Sequence, residues 1–164
     1  MTIHAPIEPN RRRGGAPVGY LDELPAVEAI TVRYLRRYFS GEDGRRLIDA
    51  ELCAALGPDE GRRAGDCFAE LCEIALSHGR RPLLHHHPRC KVLGADESVF
   101  ANFIAAAAEG EREDAILFAS LLVRADVAFH LLTLAEDAGL SIRRMHIRLG
   151  CGFLAEKPAH RTLQ

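Results

Sequence analysis

Apolar positions recur at intervals of three and four along most of the chain. From Leu24 through Val27, Ile30, Tyr34 and Leu35 to Tyr38 they make one stripe, which predicts a helix opened by Asp22 and Pro25 and closed at Ser40-Gly41. A second stripe, Leu47, Ile48, Leu52, Ala55 and Leu56, stops at Gly57-Pro58. A third runs from Pro58-Asp59-Glu60 through Ala64, Phe68, Leu71 and Ala75 to Gly79. Acids in a first turn and a glycine after the last suit the two ends of the helix dipole. Beyond the polar stretch HHHPRC, residues 85–90, a fourth helix is expected with a cap near Asp96, apolar positions Val99, Phe100, Phe103, Ile104 and Ala107, and an end at Gly110. Glu111, Glu113 and Asp114 open a fifth, which carries Ile116, Leu117, Leu121 and Leu122. The sixth begins near Asp126, holds Val127, Leu131, Leu134 and Ala135, and is expected to stop at Gly139. The alternation in Met145-His146-Ile147-Arg148-Leu149 reads as a short strand or extended tail.

These segments predict an all-α fold, a compact bundle of about six helices in one domain over 20–164 with an irregular C-terminal extension. Residues 1–19, rich in Pro, Gly and Arg, are expected to form a flexible basic tail. A shift of 69 residues aligns Glu28 with Glu97, Ile30 with Val99, Tyr34 with Phe103 and Leu52 with Leu121. Two three-helix repeats, 24–94 and 95–155, would explain this, and so would six unrelated amphipathic helices.

Composition narrows the class. Of 164 residues 48% are hydrophobic and 27% charged, and no apolar run reaches the about 18 residues that cross a bilayer, so no membrane partner is expected. The first residues carry Arg11, Arg12 and Arg13 but no apolar segment of a secretory signal, which points to the cytoplasm. The 5 cysteines are odd in number and without paired spacing, as expected for free thiols or metal ligands rather than a disulfide framework. Net charge is only −2, but it is segregated: Arg80 to Lys91 holds 4 cations and no acid, whereas Asp96 to Asp137 holds 9 acids and 2 arginines.

Within that frame HHHPRC gains a counterpart. His85-x₄-Cys90 recurs as His146-x₄-Cys151, each after an arginine pair, Arg80-Arg81 and Arg143-Arg144. One imidazole and one thiolate from each loop, His85, Cys90, His146 and Cys151, make up the donor set of a tetrahedral structural zinc, with His87 as the alternative donor. The competing reading has both cysteines as small apolar anchors and the histidines solvated. Cys67 and Cys72, five apart and so about 140° round a helix, read with Cys53 as packing residues. The acids from Glu109 to Asp114 are explained by helix capping. Phosphate loops and nucleophile elbows are absent.

Three functions follow. The first is a non-enzymatic binding or regulatory protein, acting on a protein partner or by self-association, with zinc tying the two loops. The second is a sensor or nucleic-acid-associated regulator in which Arg80, Arg81, Arg143 and Arg144, joined by Arg89, Lys91 and Arg148, receive an anion. The third is a His/Cys metalloprotein with a redox, haem or iron role.

Overall fold

The structure, a computed structural model, describes residues 13–155, with side chains described as far as Gly150. Six helices carry almost all of it: α1 Ala26–Phe39, α2 Glu42–Leu56, α3 Pro58–Ser77, α4 Ala95–Glu109, α5 Arg112–Leu122 and α6 Ala125–Ala155. Five of the helices begin and end close to their sequence signals. Gly57, at φ 92°, ends α2 and leads directly into α3, whose first residue is Pro58, and Gly110 closes α4 in the left-handed region at φ 82°.

The sixth departs from expectation. α6 runs 31 residues, through Gly139, the expected stop, and through Met145–Leu149, the expected strand. Gly139 is there for packing: a Cβ would lie 2.8 Å from both the Ile104 carbonyl oxygen and the Ala108 Cβ of α4. Only glycine lets the two helices cross so closely. Leu131, Ala135, Ala138, Ile142 and Met145 then keep one buried face at helical spacing across the site of the supposed break.

The chain is also ordered earlier than its composition suggests. Arg13–Gly15 and Leu21–Glu23 are 3-10 turns, and between them β1, Pro17–Tyr20, pairs antiparallel with β2, Val92–Gly94. Gly14 packs against the ion pair of Arg81 and Asp96, where a Cβ would fall 2.0 Å from Asp96 Oδ2. Residues 1–12 lie outside the described residues.

The core gathers residues of all six helices, among them Tyr34, Leu52, Phe68, Leu71, Phe100, Phe103, Ala115 and Leu131. Phe68 stands edge-on to Tyr34 and to Phe100, at centroid distances of 5.8 and 6.4 Å. Cys72 is fully buried in it, and burial pushes its thiol pKa far up. A smaller cluster of Val32, Leu93 and Ala101 fastens β2 between α1 and α4. The helix order of 24–94 is repeated in 95–155. Their packing differs, since α4 lies along α6 while α1 barely meets α3.

Candidate functional site

The HHHPRC loop is built around a buried ion pair. Arg36 lies seven residues after Ala29 and four after Val32, in the buried column of α1, and is fully buried. Its Nε and Nη2 donate to Glu97 Oε1 and Oε2 at 2.7 and 2.8 Å, a bidentate pair closed to solvent on both sides. The remaining donors turn to the loop: Nη2 reaches the Val92 carbonyl at 2.7 Å and Nη1 the Cys90 carbonyl. Glu97 also accepts the amides of Gly94 and His86, each at 2.8 Å, and its Oε2 lies 3.1 Å from His86 Nδ1. Burial by itself raises the Glu97 pKa; the Arg36 hydrogen bonds and the Gly94 and His86 amides outweigh it and hold the carboxyl down at about 2.

Asp96 repeats the device one residue earlier. It takes both terminal nitrogens of Arg81 and, at 2.9 Å, the amide of Leu84. Two adjacent acids at the start of α4 thus tie down the connection from α3, and the helix N-terminus favours their charge. This is anchoring machinery.

Of the residues expected to hold zinc, all but Cys151 have described side chains. The His85 ring stacks on Phe39 at 4.5 Å, and His87 Nδ1 accepts the Arg89 amide at 3.2 Å. Cys90 is half-buried beside the loop. His146 is exposed on α6, and the Cys151 side chain lies outside the described residues. No group of three or more His, Cys, Asp or Glu converges among the described residues. His130 pairs at the surface with Glu70, 3.4 Å away.

The expected arginine patch is divided among separate tasks. Arg80 donates to the Ser120 carbonyl, Arg81 is held by Asp96, and Arg144 pairs with Glu60 at 2.7 Å. Arg148 donates to the Ala55 and Leu56 carbonyls that end α2. Arg143 is exposed on α6. A groove of about 450 Å3 between α3 and α6 is lined by Glu60, Arg63, Cys67, Asp137, Ser141 and Arg144. Cys67 donates to the Leu134 carbonyl there, and burial, with Asp137 and Glu70 nearby, pushes its thiol up to about 11. That thiol is a poor nucleophile at neutral pH.

Another feature stands apart. Helix α5 fully buries only Ala115 and Ala119, while Leu117 and Leu121 are 63% and 59% exposed. Phe129, near the start of α6, is 71% exposed. Two shallow depressions flank α5, one bordered by Leu117, Phe118 and Leu121, the other by Ile116, Phe129 and Leu132. Glu109, Glu111, Glu113 and Asp114 are exposed at the same end of the molecule. The signal was present in REDAILFASLL, where large apolar residues surround the helix and leave no polar face after Asp114.

Among the described residues no helix is long and apolar enough to cross a membrane. No model of a known protein family matches the chain, and neither a curated protein nor a solved structure shows detectable similarity to it.

Proposed function

We propose that the protein is a non-enzymatic binding module that receives a protein partner on α5 and the start of α6. The observation that carries this is the inverted packing of α5, which docks through alanines and turns Leu117 and Leu121 outward, while Phe129 is exposed near the start of the adjoining α6. Covering a leucine or phenylalanine is worth about 1.5–3 kcal/mol each, so a partner seated here gains from all three. The acids Glu109, Glu111, Glu113 and Asp114 at the rim define its chemistry: an amphipathic helix with apolar residues flanked by lysine or arginine. A second copy of the chain docked on the same face brings these acids Arg112 and Arg124, which are already paired with Glu136 and Asp126. The zinc reading draws no support from the donors, because His85 and His87 are engaged with Phe39 and the Arg89 amide.

Fluorescence anisotropy of a labelled Leu/Lys helical peptide tests the proposal, with a Leu/Glu peptide as comparator and light scattering to follow mass. We expect saturable binding of the Leu/Lys peptide only, weakened at least about tenfold in Leu117→Ser/Leu121→Ser, a loss that corresponds to about 1.4 kcal/mol. Exposed substitutions leave thermal stability nearly unchanged. No binding, equal binding by the variant, or a stable dimer that the variant dissolves would each overturn it.

A further inference from the structure

We propose that the pocket formed by the Leu21–Glu23 turn, α1 and residues 88–91 binds a small phosphomonoester. Arg33 of α1 and Arg89 and Lys91 of the loop line this pocket of about 210 Å3, together with Leu21, Pro88 and Cys90. A single acid, Asp22, reaches it, leaving an excess of positive charge. Eight arginines pair with acids among the described residues, including Arg36 with Glu97, Arg37 with Glu51, Arg81 with Asp96, Arg112 with Glu136 and Arg144 with Glu60. The three pocket cations are among those without such a partner: none lies within 4.0 Å of a carboxylate among the described residues.

The walls are fixed before any ligand arrives. The Leu21 amide donates to the Lys91 carbonyl at 2.9 Å, closing one side, and the Cys90 amide donates to the His87 carbonyl at 2.9 Å. From beneath, Arg36 holds the carbonyls of Cys90 and Val92 while Glu97 holds Arg36. A loop so pinned loses little entropy on binding. Two guanidinium forks and an ammonium suit the two charges and the oxygens of a phosphomonoester, and the apolar walls suit a small organic group beyond it. The volume lies below the roughly 300 Å3 lower end for drug-sized ligands, so the organic group is small.

The site keeps only Arg89 and Lys91 of the set expected from the sequence and adds Arg33, because Arg80, Arg81 and Arg144 are engaged elsewhere. It also stands independently of the α5 face.

Phenyl phosphate is the probe, titrated by calorimetry at low salt and compared with benzyl alcohol and with phosphatidylserine vesicles. Cys90 supplies a local readout: iodoacetamide alkylation is mapped by mass spectrometry, with the half-buried Cys53 as internal reference. We expect saturable binding of phenyl phosphate that weakens with salt, severalfold slower alkylation of Cys90 but not of Cys53, and no response to benzyl alcohol. Arg33→Ala/Lys91→Ala, both exposed positions, is expected to bind at least about tenfold more weakly with an unchanged circular dichroism spectrum. Arg143→Ala is expected to bind like the wild type. Absence of saturable binding, equal affinity in the double variant, unprotected Cys90, or association with vesicles alone would overturn the proposal.

Discussion

Burying Arg36 beside Glu97 withdraws two charges from water, at a penalty of several kcal/mol for each ion. Bidentate geometry alone does not offset that; the carbonyls of Cys90 and Val92 and the amides of Gly94 and His86 complete the shell. Replacing Arg36 by Met leaves Glu97 charged and unpaired, and denaturant unfolding is expected to show a loss of about 3–5 kcal/mol. Adding Glu97→Met recovers little, because the loop carbonyls and amides stay unsatisfied. The carboxyl of Glu97 titrates at about 2 in the folded protein against 4.5 for the free group. A lowered folded value means stability that is complete above 4.5 and is lost as pH falls through that window toward 2. Unfolding followed between pH 5 and 2 is therefore expected to show a loss in the wild type that is absent in Glu97→Gln, which starts less stable. Thr31 offers the opposite case: its buried hydroxyl has no hydrogen-bond partner among the described residues. Thr31→Val is expected to raise stability by about 1 kcal/mol in the same assay.

Helix limits were legible wherever the signal was local. Pro58, the acids after it and the positive-φ glycines at 57 and 110 act on the backbone within one turn, so composition reveals them. Gly139 carries the same letter for a different cause, a close crossing with α4 that no neighbouring residue announces. Gly139→Ala would raise helix propensity yet press a methyl into Ile104 and Ala108, and calorimetry is expected to show a net destabilisation of about 1–3 kcal/mol. The alternation at Met145–Leu149 misled for a related reason. Met145 is buried, where it receives the Tyr34 hydroxyl, whereas Ile147 and Leu149 are exposed apolar residues on a helix surface. Helix α5 shows the converse error: its apolar stripe reads as a core face, but the alanines fill that role and the leucines face out.

At the scale of the molecule, residues distant in sequence make one rigid corner. Arg36, the loop ending at Cys90, β2 and the start of α4 are joined to the N-terminal strand, so loss of Arg36 should propagate along that path. Hydrogen exchange of Arg36→Met is expected to show faster exchange for 79–94 and for the Pro17–Tyr20 strand, with the α2–α3 hairpin protected as before. Uniform loss of protection would mean that the corner does not open on its own. The segregation of charge takes on a spatial meaning as well: exposed acids from Glu109 to Asp114 open the apolar helix α5, while unpaired cations gather at a pocket lined by the end of the HHHPRC loop.

An all-helical bundle, its element order and most of its helix ends were written in the periodicity and the punctuating glycines, since these act over one turn of chain. The fate of charged and sulfur-bearing residues was not. Whether Arg36 is solvated or fully buried, whether the His85 ring stands free or stacks on Phe39, and which arginines remain unpaired depend on what the fold brings opposite them from other elements, for Arg36 from 54 to 61 residues away. A histidine and a cysteine at the right spacing name a chemistry, but only the packing of α1, α4 and the loop decides which partner reaches them first. In this protein the anchoring contacts came first, and the candidate sites are the surfaces left over, a leucine face and a cationic pocket.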